Sequence, residues 1–432
     1  MTYQATLDYL FSKLPMYQRI GAAAYKANLD NITVLCEHLD NPQNRIKCIH
    51  IAGTNGKGSV THLLAAALQL SGYKVGVYSS PHYRDFRERI KINGKYITEE
   101  AVVDFVAKNQ NYINELEPSF FEMATAMAFE YFAAEQVDFA IIETGLGGRL
   151  DSTNIISPIL SVITNISFDH QQFLGDTLPL IAAEKAGIVK NNTPVVIGER
   201  QDEILDVFVQ KATDCEAPIY FASDSFETKY LPQIPLNPAS NNYTVIDKIS
   251  GAVILSLENC ELYGSYQLKN IATAFAAARV LQETYNISLD GLKDGFERVK
   301  SIAKLYGRWD VLNQKPLALA DSAHNEAGIK ELMLQLEAIP FNQLHIVFGM
   351  VNDKSPEKAL SQLPKDALFY FCKPDIPRGQ TTEVLQEYAD SIGLKSTMHS
   401  SVKNAFNIAL ANAQENDLVL ICGSIFVVAE LV

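Results

Sequence analysis

A glycine-rich stretch with one lysine and one serine is the segment best suited to chemistry. Residues 53–59 read Gly-Thr-Asn-Gly-Lys-Gly-Ser, between a predicted strand and a predicted helix. Glycines let the backbone turn tightly so that consecutive N–H groups face an anion, and a helix N-terminus adds positive potential. Lys57 could neutralise nucleotide phosphates, and the Ser59 hydroxyl could bind Mg²⁺. The alternative is a plain glycine turn with a solvated lysine, since Gly58 interrupts the usual G-x-x-x-x-G-K-[ST] spacing.

Two further polar side chains follow predicted strands. Glu143 ends the apolar run 138–143, and His170 comes shortly after the run 159–164. Because the carboxyl ends of parallel strands share one edge of a sheet, both side chains could converge on the phosphate loop. Magnesium prefers oxygen ligands and accepts an imidazole nitrogen in a mixed site. Taken alone, Glu143 could equally be a loop or capping carboxylate, and His170 a structural histidine.

Strand-like and helical runs alternate along the chain, which predicts an α/β fold with mostly parallel sheets. Continuous apolar runs suit strands that are covered on both faces. In the first part of the chain, strands are predicted at 46–52, 74–79, 138–143, 159–164 and 194–198, and helices at 60–70, 119–135, 267–283 and 288–300. Segment 218–262 is polar and locally alternating, which favours short antiparallel strands in an edge hairpin or a small subdomain.

The pattern restarts near residue 301. Strands are predicted at 317–320, 344–349, 367–371 and 418–422, with helices at 325–337 and 402–413. This second α/β run has the size of one domain. We therefore predict two domains, 1–300 and 301–432.

Composition limits the kind of protein. The chain has 432 residues, 36 Lys and Arg against 50 Asp and Glu, and a formal charge of −14. Such acidity disfavours general nucleic-acid binding, so an anionic ligand must be held by local groups. Six cysteines without a C-x-x-C pair predict reduced thiols. With no signal-peptide pattern and no apolar run of membrane-spanning length, we expect a soluble protein in the cytoplasm.

Several motifs together resemble one enzyme family. They are AGTNGKGS at 52–59, YSSPH at 78–82, RERIKING at 87–94, ETGLGGRLDSTN at 143–154, DH at 169–170 and EKAGI at 184–188. The chain resembles the folylpolyglutamate synthase/dihydrofolate synthase family of the Mur ligase superfamily. The resemblance implies an N-terminal P-loop ATPase domain and a C-terminal Rossmann-like domain. It also implies ATP-dependent addition of L-glutamate to dihydropteroate or (tetrahydro)folate through an acyl phosphate, with release of ADP and phosphate.

Roles for individual residues follow from the same resemblance. Those implied for ATP are Asn55, Gly56, Lys57, Gly58, Ser59, Asn270, Arg308 and Asp321. The implied Mg²⁺ ligands are Ser59, Ser80, Glu143, His170 and Lys185, the last as a carbamate. The folate or pteroate side would involve Gly21, Ser119, Phe120, Phe121, Glu122 and Asp151. Lys57, Lys185, Arg308 and His324 are the implied catalytic groups, although His324 could equally be a core histidine. We expect Lys57 to face solvent when no nucleotide is bound.

Three departures from the family pattern affect the C-terminal assignments. Tyr306 stands where the family usually has proline before Gly-Arg. The run from Asp321 to Glu326 reads Asp-Ser-Ala-His-Asn-Glu, where the family usually has Asp-Gly-Ala-His-Asn-Pro. Tyr266 replaces a common histidine before Gln267. None of these changes replaces the residues implied to contact ATP, which are Asn270, Arg308 and Asp321.

Two other functions remain open on the sequence. A cell-wall Mur-type amino-acid ligase shares the loop and the reaction, but such enzymes generally carry an additional N-terminal domain, for which the 52 residues before Gly53 are few. A P-loop nucleotide-binding protein without ligase activity is the other alternative. We expect the bifunctional ligase, as a monomer, with ATP, L-glutamate and dihydropteroate or folate as its partners and neither nucleic acid nor membrane.

Overall fold

A computed structural model describes residues 1–16, 28–231, 241–353 and 355–432. The predicted pocket residue Gly21 therefore lies outside the described residues. None of the helices in the described ranges is both long enough and apolar enough to cross a membrane. All six cysteines are buried and free, which confirms the prediction of reduced thiols.

An eight-stranded sheet organises the N-terminal unit. Its strands are β1 (Cys48–Ala52), β2 (Val75–Tyr78), β3 (Ile90–Ile92), β4 (Lys95–Tyr96), β5 (Phe139–Glu143), β6 (Leu160–Ile163), β7 (Val195–Ile197) and β8 (Ile219–Phe221). The order is β4-β3-β2-β5-β1-β6-β7-β8, and only the β3 and β4 edge is antiparallel. The five central strands lie close to their predicted positions.

Helices cover both faces of this sheet. They are α1 (Tyr3–Lys13), α2 (Asp30–His38), α3 (Lys57–Leu70), α4 (Glu99–Leu116), α5 (Phe120–Ala134), α6 (Gln171–Leu174), α7 (Leu178–Ala186), α8 (Leu205–Asp214), α9 (Ala222–Ser225), α10 (Gln267–Gln282), α11 (Leu289–Glu297) and α12 (Val299–Ala303). Successive β5 residues enter different clusters, Ile141 beside α3 and Ile142 beside α5. A strand buried on both sides needs apolar residues throughout, which explains the continuous run in its sequence.

A small antiparallel sheet lies beside α10. Its strands are β9 (Phe226–Leu231), β10 (Asn241–Asp247) and β11 (Val253–Cys260), in the order β11-β10-β9. The rings of Phe226 and Phe275 pack edge to face, with centroids 5.0 Å apart, and so join this sheet to α10. The prediction of antiparallel strands is confirmed, whereas β8 within the same segment pairs in parallel with β7.

A six-stranded sheet organises the C-terminal unit. Its strands are β12 (Asp310–Gln314), β13 (Leu317–Ala320), β14 (Leu344–Phe348), β15 (Leu368–Phe371), β16 (Lys395–Met398) and β17 (Leu418–Cys422). The helices are α13 (Glu326–Leu336), α14 (Pro356–Leu360), α15 (Thr382–Ile392), α16 (Val402–Asn412) and α17 (Ile425–Ala429). The order is β12-β13-β17-β14-β15-β16, with only β12 antiparallel. The α/β architecture with mostly parallel sheets is thereby confirmed.

Candidate active site

A cavity of about 590 Å³ lies where the loops after β1, β2, β5 and β6 face the C-terminal unit. Every predicted site residue within the described ranges lines this cavity. The carboxyl ends of parallel strands meet at one edge of the sheet, which is why motifs distant in sequence share one space. The structure thus brings the predicted residues together, while their individual roles stay predictions.

The phosphate loop is held by close backbone contacts. Gly56 has φ of 85° and caps α3, which begins at Lys57. A Cβ at Gly53 would overlap the Thr164 side chain, and one at Gly56 would overlap Asn270. Glycine is therefore required at both positions for reasons of space as well as conformation. The resulting loop places the N-terminus of α3 at the cavity.

The Lys57 side chain is half-buried, so the expectation of a solvent-facing lysine is wrong. Its ammonium nitrogen donates to the main-chain oxygens of Gly53 and Thr54, at 3.0 and 3.2 Å. An ammonium has three donors, and these two carbonyl groups satisfy two of them. The ammonium stays beside the loop that would cradle phosphate.

Oxygen groups suited to a divalent cation line the same cavity. The Ser59 hydroxyl is buried and has no hydrogen-bond partner among the described residues. Burial raises the pKa of Glu143 to about 7, although Lys57 and Arg308 act to lower it. A buried hydroxyl without a partner and a buried carboxylate are oxygen donors that fit Mg²⁺.

The other predicted metal ligands differ in surroundings. Ser80 donates a main-chain hydrogen bond to Glu143, and His170 is partly exposed beside Asp169. Within the described residues, no cluster of three or more His, Cys, Asp or Glu side chains could hold a metal ion. Metal binding here would therefore depend on the serine oxygens as well as on Glu143 and His170.

Lys185 is a buried cation close to the phosphate loop. Its side chain is on α7, and its nitrogen donates to the main-chain oxygen of Gly53 at 2.9 Å. Burial, together with the nearby charge of Lys57, lowers its pKa to about 7. Two lysines therefore converge on Gly53, and burial favours the neutral form of one of them.

Polar contacts join the phosphate loop to the C-terminal unit. The side chains of Asn55 and Asn325 exchange amide hydrogen bonds. Asn325 also donates to Asp169, at 3.0 Å. Neither Asn325 nor Asp169 was among the predicted site residues, although both lie within the DSAHN and DH motifs. Spacing could not show that the two motifs touch.

Asp321 is the centre of a buried network on the C-terminal side. Its carboxylate accepts hydrogen bonds from the Tyr266 hydroxyl and the Trp309 main chain, at 2.9 and 3.0 Å. Arg308 donates to Ser322 and to the Gly307 oxygen. Tyr266, which replaces the histidine common in the family, thus contacts Asp321, one of the residues predicted to bind ATP.

The far end of the cavity has an aromatic wall. Phe121 packs near Tyr78, with ring centroids 5.9 Å apart, and Phe120 lies beside it. Ser119 and Glu122 form a capping box at the start of α5, so part of their hydrogen-bonding capacity serves the helix. Asp151 accepts from the main chains of Leu146 and Thr153 and fixes its own loop.

Comparisons with known proteins agree with this architecture. A model of the Mur ligase middle domain matches residues 51–278, and a model of the Mur ligase glutamate ligase domain matches residues 307–425. Both matched regions are Mur ligase domains, and together they span most of the chain.

Two curated relatives narrow the assignment. The dihydrofolate synthase/folylpolyglutamate synthase of Bacillus subtilis is 32% identical over 94% of this chain and 94% of that protein. A probable bifunctional folylpolyglutamate synthase/dihydropteroate synthase of Haloferax volcanii is 32% identical over the whole chain, which spans half of that protein's length.

Solved structures give the same result. Escherichia coli FolC in complex with DHPP and ADP is 30% identical, with a TM-score of 0.84, over 100% of this chain and 96% of that one. A second structure is a bifunctional folylpolyglutamate synthase/dihydrofolate synthase from Yersinia pestis, complexed with AMPPNP and a Mn ion. It is 28% identical, with a TM-score of 0.83, and the match covers 100% of this chain and 97% of that one. The chain belongs to the folylpolyglutamate synthase/dihydrofolate synthase family of Mur-ligase-type proteins.

Proposed function

We propose that this chain is an ATP-dependent ligase that joins L-glutamate to both dihydropteroate and (tetrahydro)folate. The observation that carries the proposal is one cavity with a phosphate loop, a buried carboxylate at Glu143 and an aromatic wall at Phe120 and Phe121. Such a space can hold a nucleotide, a cation and a flat aromatic acid at the same time. The names of the relatives support the same substrates.

The nucleotide would lie between the two units. Its phosphates would be bound by Asn55, Gly56, Lys57, Gly58 and Ser59 at the start of α3, where N–H groups and the helix dipole favour an anion. Asn270, Arg308 and Asp321 would bind it from the opposite side. The close fit of Asn270 against Gly56 supports this arrangement.

A divalent cation, Mg²⁺ in this proposal, would be held by Ser59 and Glu143 together with Ser80, His170 and Lys185. When bound, it would neutralise charge that develops on the transferring phosphoryl group. The unpartnered Ser59 hydroxyl supports the assignment. The relative that binds Mn with AMPPNP supports use of a divalent metal.

The reaction starts from a carboxylate, which is a poor electrophile. An oxygen of the substrate carboxylate attacks the γ-phosphorus of ATP, and the bond from that phosphorus to the β-phosphate oxygen breaks. ADP is released, and the substrate is now an acyl phosphate. The glutamate amine then attacks the acyl carbon, loses a proton, and displaces inorganic phosphate. Lys57 reduces the repulsion between carboxylate and triphosphate, and the guanidinium of Arg308 holds the phosphoryl oxygens. His324 lines the cavity and is not a core residue, so it would orient the phosphoryl group and the substrate carboxylate. Contact between the two units would exclude water from the acyl phosphate.

Lys185 would act in this site as a carbamate. Its amine would add to carbon dioxide, releasing one proton and leaving an anion with two oxygen ligands. A buried lysine whose recorded hydrogen bond goes to one carbonyl oxygen is poorly stabilised as a cation, which favours this modification. The family resemblance at EKAGI supports the same reading.

The domain limits of 1–300 and 301–432 form part of the proposal. The two matched family regions, 51–278 and 307–425, leave the junction between residues 278 and 307. A cytoplasmic location and a monomeric state stay predictions from the sequence.

Glutamate-dependent release of ADP tests the proposed function. We expect release with dihydropteroate, and separately with tetrahydrofolate, that requires L-glutamate and a divalent cation. Dependence on a sugar-nucleotide-linked acid instead would indicate the cell-wall ligase. Nucleotide binding without any acid-dependent ADP release would indicate a non-catalytic P-loop protein. Activity with only one of the two acids would contradict the bifunctional assignment.

A further inference from the structure

Arg89 is a buried arginine in the wall of the cavity. It is the last residue of a short 3₁₀ helix that leads into β3, and 3% of its surface is exposed. Its guanidinium carbon lies over the Phe120 ring, 5.2 Å from the centroid. The charged group is therefore placed beside the aromatic wall, in the space proposed for the acid substrate.

The recorded partners of this guanidinium are neutral. Its Nε donates to Nδ1 of His82 at 2.8 Å, and a second hydrogen bond reaches the Tyr78 hydroxyl. No carboxylate among the described residues forms an ion pair with it, and the undescribed stretches 17–27, 232–240 and 354 contain neither Asp nor Glu. The carboxylates of Glu88 and Glu143 act on the Arg89 charge without forming an ion pair with it.

Two neighbouring cations differ from Arg89 in how their charge or their donors are satisfied. Arg87 forms ion pairs with Asp85 and Glu99, at 2.6 and 3.2 Å, and does not line the cavity. Lys91 is buried like Arg89, but its ammonium contacts His62 and the main-chain oxygens of residues 303 and 304. An ammonium has three donors, so those of Lys91 are used.

A guanidinium has five N–H donors, and the hydrogen bonds to His82 and Tyr78 account for two of them. A buried charge without an ion-pair partner is costly, and a carboxylate that enters the cavity and contacts Arg89 would reduce that cost. Arginine also presents paired donors that match the two oxygens of a carboxylate. Charge, hydrogen bonding and shape therefore favour the same type of ligand.

We propose that Arg89 binds the arylcarboxylate of the acid substrate and directs it towards the phosphate loop. The inference rests on the proposed function, because that function places an aromatic acid against Phe120. The aryl ring would pack on the aromatic wall, and its carboxylate would extend to the guanidinium beside that wall. Arg89 then distinguishes acids from neutral analogues of the same shape.

Binding of pteroate and its carboxamide, measured by fluorescence titration of the full chain with ADP present, tests this inference. The two probes have the same shape and differ in charge. We expect the wild type to bind pteroate about tenfold or more tightly than the carboxamide. Arg89→Gln should bind both equally, with affinity for the carboxamide unchanged. The matched control Arg87→Gln should keep the wild-type preference.

Arg89→Lys adds a second measurement, because it keeps the charge and loses the paired donors. We expect it to retain part of the preference for pteroate, which a purely structural role of Arg89 would not produce. A full preference in Arg89→Gln, or a loss of affinity for both probes alike, would overturn the inference and leave the proposed function standing. A wild type that binds neither pteroate nor its carboxamide would overturn the proposed function and the inference with it.

Discussion

Asn55 of the phosphate loop and Asn325 of the C-terminal unit hold each other by a pair of amide hydrogen bonds. The distance from Nδ2 of Asn55 to Oδ1 of Asn325 is 3.3 Å, and that from Nδ2 of Asn325 to Oδ1 of Asn55 is 3.0 Å. The same Oδ1 of Asn325 caps α13 by accepting from the Gly328 main chain. One side chain therefore joins the cap of a C-terminal helix to the loop proposed to bind phosphate.

Asn325→Ser should separate these two roles. Serine can still cap α13 but cannot reach Asn55, so we expect activity to fall about tenfold with little change in melting temperature. Asn325→Ala should lose the same activity and, in addition, about 1 kcal/mol of stability, because the cap is removed. Steady-state ADP release and thermal melts check both. A serine variant with wild-type turnover would show that the amide pair has no part in assembling the site.

Lys57→Ala should lower turnover by about 10²-fold or more while leaving the fold intact. Among the described residues, the hydrogen bonds of the Lys57 ammonium go to main-chain oxygens of its own loop, so its removal leaves no side chain without a hydrogen-bond partner. Loss of a group that stabilises transferring phosphate accounts for the size of the effect. Lys47→Ala, at an exposed lysine just before β1, is the matched control. If Lys57→Ala released ADP at the wild-type rate, residues 53–59 would not be the phosphate loop of the reaction.

Glu143→Ala and His170→Ala should each raise the concentration of Mg²⁺ needed for half-maximal rate. Each should also lower the rate at saturating metal by about 10²-fold or more, because ligands that orient the cation are lost. Metal titrations of glutamate-dependent ADP release provide the measurement. Should both variants keep the wild-type metal dependence, the cation binds elsewhere.

Lys185→Ala should lose activity that added short-chain carboxylates, such as acetate or formate, partly restore. The added anion would supply the oxygens that the carbamate provides in the wild type. Crystals grown near neutral pH with bicarbonate should show three additional atoms beyond the Lys185 side-chain nitrogen in the electron density. A bare lysine in such crystals, together with a fully active alanine variant, would contradict carbamylation.

His50 should make the wild type lose stability in mild acid. Burial lowers its pKa to about 3, and Lys190 contributes in the same direction. Between its ordinary value of 6.5 and about 3, the unfolded chain binds a proton that the folded protein does not, so stability falls as pH falls. His50→Gln removes this loss, which amounts to about 1.4 kcal/mol per pH unit. Denaturant melts of the wild type and of His50→Gln from pH 7 to pH 4 measure the difference. If the free energies of unfolding of the two proteins change in parallel with pH, folding does not lower the pKa of His50.

The sequence was sufficient for features that depend on near neighbours in the chain. The apolar runs of β1, β5 and β17 and the glycines at 53 and 56 indicated strands and a phosphate loop because their signals are local. The edge strands β12 and β16 and the helix α15 were not predicted. An edge strand is partly solvated, as β16 is here, and so lacks the continuous apolar run of a central strand.

Tertiary structure alone decided which groups meet. Asn55 and Asn325 are 270 positions apart, and Lys185 reaches Gly53 across 132 positions, so no local pattern could pair them. The same holds for the buried Arg89, whose contacts with the Tyr78 hydroxyl and the Phe120 ring come from separate elements of the fold. Residue types thus determined which chemical groups this protein carries. Packing determined their burial, their charge state and their partners, because desolvation and contact depend on the whole surrounding structure.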